Sequence, residues 1–232
     1  MTIEVTANPG IDRAFSLDSL PSAVRVLAVT ARPGQESADL GGLLYAFRRS
    51  GATLSLLCLT RGEAVGQGSG SSTRLAAARP WEVQMAASVL GIRHVSVCGY
   101  RDGGLHHYPT AELAGRIQRA INEYSADLVL VVAPETGDIA DSAVARSATA
   151  AALQAGVPLA ARTRPGVSGA WTLDLGAEAE LARAIQKSAA AAHATQSEVI
   201  PELISRLDQL GSVETLRWLV GAALVPGQRP MP

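Results

Sequence analysis

Four short apolar runs recur along the chain, each followed by a polar loop and then by a helical pattern. They are Val24–Thr30 (VRVLAVT), Thr53–Thr60 (TLSLLCLT), His94–Cys98 (HVSVC) and Asp127–Ala133 (DLVLVVA). A run this short with no polar face reads as a strand covered on both sides. The segments between them read as helices. One runs from Ser37, which can cap its start, to about Arg49, with Gly51 as its stop. Others are Arg74–Leu90, interrupted near its start by Pro80, Thr110 to about Tyr124, and about Ser142 to Ala155 before Gly156. Ala170–Leu175 reads as a fifth strand, Glu178–His193 as a helix and Glu198–Leu210 as another. Strands alternating with helices predict an α/β fold with a mostly parallel sheet.

The 232 residues fit one domain, with residues 1–22 as a leader extension and 198–232 as a C-terminal helical tail. With 47% hydrophobic and 18% charged residues, disorder is excluded as the main state. A formal net charge of −1 gives no electrostatic case for nucleic acid or an anionic membrane. No apolar stretch reaches the ~18 residues of a membrane span. Cys58 and Cys98 lie inside apolar runs, as reduced thiols do, which makes a cytoplasmic protein the expectation. The Ala-rich helices 142–155 and 178–193 can pack closely, so a homo-oligomer is possible.

In parallel sheets, functional groups gather in the loops at the carboxyl ends of the strands. Here those loops are 31–36, 61–73, 99–108 and 134–141. The first reads Ala31-Arg32-Pro33-Gly34-Gln35-Glu36, followed by Gly41-Gly42. Leu59-Thr60-Arg61-Gly62-Glu63-Ala64 opens the second, and Arg79, Glu82, Ala86-Ala87 and Leu90-Gly91 lie in the helix behind it. Asp102-Gly103-Gly104-Leu105 sits in the third, and Pro134-Glu135-Thr136-Gly137-Asp138-Ile139-Ala140-Asp141 forms the fourth. Lys187 and His193-Ala194-Thr195-Gln196 close the series. In this order the fragments resemble the LmbE-like, or PIG-L-type, N-deacetylases, zinc amide hydrolases of amino sugars and related small molecules. The resemblance covers about Val24 to Gln196 and implies a Rossmann-like three-layer sandwich.

The departures concern the metal. The resemblance places zinc ligands at Arg32, Gln35 and Asp141, a general base at Gly34 and an oxyanion histidine at Asp138. Catalytic zinc wants three N, S or carboxylate ligands and one open position. Arginine cannot ligate a cation, glutamine is a poor ligand, and Asp141 alone is too few. The expectation is therefore no zinc, no other cofactor and no family-type deacetylation.

Two readings of these positions stay open. Either drift has filled them, or a polar site has been rebuilt in which Arg32 pairs with Asp138 or Asp141. In the rebuilt site Asp138, Asp141, His193 and Arg32 are the candidate catalytic residues. Histidine is the side chain that trades a proton near neutral pH, although His193 could equally cap helix carbonyls. Gln35, Glu63, Arg79 and Asp102 are the candidate substrate-binding residues; the plainer alternative makes Arg79 and Glu82 a helix-surface pair. The expected function is a zinc-independent, diverged family member with a polar pocket for a sugar-like or amide-bearing metabolite, as a biosynthetic enzyme or a ligand binder. One alternative is a non-catalytic pseudoenzyme with a protein partner, which an apolar surface at Val213–Val225 would favour. Another is an amide hydrolase whose metal is held by residues such as His106, His107 and Asp102.

Overall fold

A computed structural model of the chain describes residues 20–63, 72–196 and 200–221. Residues 64–71 of the Gly/Ser-rich loop and most of the expected leader lie outside them. The expected runs all form strands: β1 (Arg25–Thr30), β2 (Thr53–Thr60), β3 (His94–Tyr100) and β4 (Leu128–Val132). They pair in parallel in the order β3-β2-β1-β4. Successive side chains of β1 alternate between two cores. Val26 and Ala28 pack with Leu43, Phe47, Val83 and Ala189 on one face. Leu27 and Val29 pack with Ile117, Val144 and Ala148 on the other. Helices therefore cover both faces, and the architecture is the expected three-layer α/β sandwich.

Helix boundaries differ from expectation in two places. The segment from Ser37 to Arg49 is split into α1 (Gln35–Ala38) and α2 (Gly41–Arg49). Gly34, in the left-handed region at φ +95°, is the N-cap of α1, and Ser37 lies inside that turn. Helix α3 (Ser72–Leu90) runs through Pro80 without a break. A proline interrupts one helical hydrogen bond; Val83, Ala86, Ala87 and Leu90, all buried beyond it, hold the remainder against the sheet. Helix α4 (Thr110–Glu123) follows expectation, and α5 (Ile139–Ala155) ends as expected but starts earlier, taking Asp141 of the expected loop into its first turn.

The C-terminal third holds two corrections. Strand β5 (Leu159–Arg162) has no counterpart in the expected elements. It pairs parallel to β4. The chain then forms β6 (Ala170–Asp174), α6 (Ala179–Ala191) and α7 (Ile200–Gln209). The segment expected to continue a helical tail is instead β7 (Val213–Val220). It inserts antiparallel between β5 and β6, completing the order β3-β2-β1-β4-β5-β7-β6. Leu216 and Val220 are buried in the two cores, so Val213–Val220 is sheet, while residues 222–225 of the expected apolar surface lie outside the described residues. No helix among the described residues is long and apolar enough to cross a membrane.

Candidate functional site

The strand order reverses between β1 and β4, and the crevice above their carboxyl ends is where such sheets bind ligands. The loops 31–36 and 133–141 meet there. A cavity of about 740 Å³ opens above them, lined by Arg32, Gln35, Asp138, Asp141 and His193 among others. All four candidate catalytic residues and Gln35 thus share one cavity.

Arg32 leaves β1 and reaches across the crevice to Asp138, forming an ion pair. Burial works against both charges. For Arg32, the hydrogen bond and charge of Asp138 outweigh it and raise the guanidinium above its ordinary value. For Asp138, the Arg32 guanidinium and the first amides of α5 outweigh burial and hold the carboxyl below its usual range. Asp138 is also the N-cap of α5, accepting from the Ala140 amide at 2.7 Å. Its place is fixed from two sides.

Gln35 has both ends of its amide committed. Its Oε1 accepts from the backbone N–H groups of Ala31 and Arg32 at 2.9 and 3.3 Å. Its Nε2 donates to Asp141 Oδ1 at 2.7 Å, and Thr136 Oγ1 donates to Asp141 Oδ2 at 3.0 Å. Asp141 is buried. Burial, aided by the neighbouring Asp138 charge, raises its carboxyl above the ordinary value despite those hydrogen bonds.

His193 follows α6 and is only 2% exposed. It does not cap a helix with its ring. Its Nε2 lies 2.6 Å from Glu36 Oε1. Glu36, fully buried, also accepts from the Gly34 amide and the Ser37 hydroxyl. With Glu36 as a carboxylate, which only accepts, a neutral ring carries its proton on Nε2 and its lone pair on Nδ1. That Nδ1 is buried with no partner among the described residues, and His193 lines the cavity. Sequence reading quoted Glu36 within its motif and gave it no role. The pairing joins positions 157 apart, and no local signal announces it.

Glu63, Arg79 and Asp102 form a second, adjoining cluster and do not line this cavity. Glu63 accepts from the Asp102 amide at 3.0 Å. Asp102 accepts from Thr60 Oγ1. Arg79 is wholly buried, so it is no helix-surface partner of Glu82. Its Nε donates to Thr195 Oγ1 at 3.2 Å, and Glu82 receives the Thr195 amide and hydroxyl, both at 2.7 Å. Burial lowers the Arg79 pKa, against the pull of Glu82, Asp102 and Glu63. Gln196, next in that segment, donates to Pro33 O at 3.2 Å. The closing segment is thereby clamped by α3 and in turn supports the 31–36 loop. Cys58 is buried, and burial pushes its thiol up, which suits a packed side chain and not a nucleophile.

A model of the PIG-L family, described as GlcNAc-PI de-N-acetylase, matches residues 27–153. The chain belongs to the PIG-L family. A relative in Bacillus anthracis, the probable N-acetyl-alpha-D-glucosaminyl L-malate deacetylase 2, is 34% identical over 114 residues. That match takes in 47% of this chain and 50% of the relative, so the chain spans about half the length of the curated relative it matches. Among solved structures, the N,N'-diacetylchitobiose deacetylase of Pyrococcus horikoshii superposes with a TM-score of 0.71 at 16% identity, over 90% of this chain and 88% of that one. The 4-carboxy-2-hydroxymuconate hydratase of Pseudomonas putida KT2440 superposes with a TM-score of 0.62 at 16% identity, over 84% and 95%. At such identities these two show a common fold.

The PIG-L fold implies zinc, and the three positions the motif assigns to it do converge. The donor set there does not fit the ion. Arg32 brings a positive charge and no lone pair. Gln35 has spent its oxygen on two backbone amides and turns N–H bonds toward Asp141. Only the Asp141 carboxylate remains. Among the described residues, no three His, Cys, Asp or Glu side chains are grouped to hold a metal, the combination of His106, His107 and Asp102 included.

Proposed function

We propose that this PIG-L protein is a zinc-independent member that binds a sugar-like or amide-bearing metabolite in the β1–β4 cavity and moves a proton there through His193. The observation that carries this reading is the Glu36–His193 pair. A carboxylate buried under the site holds one ring nitrogen and leaves the other buried without a partner among the described residues, on a side chain that lines the cavity. That is the arrangement of a general base. A proton taken by Nδ1 yields an imidazolium that Glu36 stabilises. Asp141, whose carboxyl burial holds above its ordinary value, is the second titratable group of the proposed site. Arg32, held by Asp138, is a fixed positive group for charge that develops on a ligand oxygen.

The substrate class follows the family description and the named substrate of the Bacillus relative, both N-acetylglucosamine derivatives. A biosynthetic role is part of the same reading. The hydratase that shares the fold is in keeping with a proton-transfer reaction on this scaffold. The test combines elemental analysis of untagged protein with calorimetry using N-acetylglucosamine. The expected result is zinc far below one per chain and binding that survives a chelator. Stoichiometric zinc, with ligand binding lost on chelation, would overturn the reading.

A further inference from the structure

We infer that the β5 wall of the cavity is a carboxylate subsite built from Arg162 and Thr163. This rests on the cavity being a ligand site and adds the chemical class of one ligand group. Arg162 ends β5, Thr163 follows it, and both line the cavity. The backbone there is fixed: the Thr163 amide donates to Thr215 O on β7 at 2.9 Å. The side chains are not satisfied. Thr163 is only 3% exposed, and its Oγ1 has no partner among the described residues. Arg162 Nε is likewise buried without a partner.

The other arginines of the cavity already have partners in the protein. Arg32 pairs with Asp138, and Arg206 pairs with Asp39 at 3.1 Å. Arg164 donates through Nη2 to the Glu135 carbonyl at 2.7 Å. The nearby Glu135 carboxylate is taken by Arg217, which leaves it unavailable to Arg162. Glu202, exposed on α7, is the lining acid with no ion pair or hydrogen bond among these contacts. A guanidinium edge and a hydroxyl buried without acceptors are costly, and a ligand acceptor removes that cost. A guanidinium fork and an O–H group lining one cavity are donors that a planar carboxylate takes. Arg162 and Arg164 are the lining guanidinium groups without an ion pair among the described contacts. A doubly charged phosphate would add repulsion in a cavity already lined by Asp138 and Asp141.

The test is calorimetric titration of the full chain with three separate probes: succinate, inorganic phosphate and N-acetylglucosamine. Succinate should bind the wild type and outcompete phosphate. Arg162→Gln should weaken succinate about tenfold or more, as expected for a lost charge-assisted pair. Thr163→Val, nearly isosteric and so safe for folding, should weaken it by about threefold or more. Succinate that fails to bind the wild type, binds both variants unchanged, or loses to phosphate overturns the subsite. The sugar arm separates the two readings. Succinate binding that depends on Arg162, with no sugar binding, retires the sugar-like substrate and keeps the subsite. Sugar binding with no succinate binding does the reverse.

Discussion

Asp138 and Asp141 begin the same helix and are driven in opposite directions. Asp138, depressed by Arg32 and the helix amides, adds stability that is present above its unfolded pKa and is lost as pH falls through its folded value. Asp141 has a folded pKa raised by burial. It adds stability that is present below its unfolded pKa and is lost as pH rises through the raised value. Asp141→Asn keeps an acceptor for Gln35 and gains a donor for Thr136 while deleting the buried charge. We expect thermal melts between about pH 4 and pH 8 to show the variant gaining on the wild type toward the neutral end. A variant less stable than wild type across that range would mean that the ionised carboxylate is the form the site needs. The same cluster makes a second prediction. Arg32→His, Gln35→Asp and Asp141→His together place three zinc ligands where the side chains already converge. Gly34 stays, because its φ of +95° strains any other residue and a Cβ there would lie 3.2 Å from Gln196 Oε1. Elemental analysis should find about one zinc per chain in the triple variant; an unchanged metal content would show that the crevice does not present those side chains to one point. These positions were legible from motif order alone. Glu36 with His193, and Arg162 with Thr163, were not, since each depends on where a distant or unrecognised element docks.

At the scale of elements, α6 and β7 are locked together by a buried pair, Arg183 with Glu214. Arg183 Nη1 also donates to Gln186 Oε1 at 2.8 Å, and Gln186 Nε2 donates to Ser37 O on α1 at 2.8 Å. The turn that carries Gln35 and Glu36 is thus anchored to the far side of the sheet. Helix α2 passes so close beneath this network that a Cβ on Gly42 would overlap Glu214 Oε1 and lie 2.6 Å from Arg183 Nη1. The paired glycines of the sequence are there for packing, not for a turn. Gly42→Ala should cost about 3 kcal/mol, the upper end of ordinary overpacking. Gly115→Ala in α4, where the nearest atom is Arg119 Nη1 at 3.8 Å, should gain about 0.5–1 kcal/mol from helix propensity. Urea melts of the pair check both signs, and equal effects at the two sites would dismiss the packing argument. The glycine motif was visible in sequence, whereas its partner was not, because Glu214 lies on a strand that reads as tail. Strand β5 was hidden for a related reason. Leu159-Ala-Ala-Arg162 is four residues long, lacks β-branched side chains and follows an Ala-rich helix. The polar residues at its end were therefore never weighed as strand-end loop residues.

Over the whole molecule, strands β1–β4 and β6 were predictable, and β5 and the antiparallel extension through β7 were not. The β1–β4 half announces itself through short apolar runs with no polar face, as strands buried on both faces must. The extension is written in amphipathic sequence, V-E-T-L-R-W-L-V, whose charges Glu214 and Arg217 find partners only after β7 has inserted. That insertion does more than lengthen the sheet. Strand β6 pairs with β7 and with no other strand, and β5 would be left as an open edge without it. A chain ending at Leu210 loses β7, orphans β6 and leaves Arg183 buried without its carboxylate, a change that typically costs about 3–5 kcal/mol on its own. Against a domain stability of about 5–15 kcal/mol, the combined loss should abolish cooperative folding. We expect the truncated protein to be insoluble, or to show no thermal transition by circular dichroism and no defined peak on size exclusion. A dispensable tail predicts the opposite: a soluble protein with the wild-type melting temperature and an intact cavity. The cavity wall decides the matter further, because Thr163 is held by Thr215 of β7. Even a truncated chain that stayed folded should lose the Arg162-dependent binding of succinate while keeping the Arg32–Asp138 side of the site.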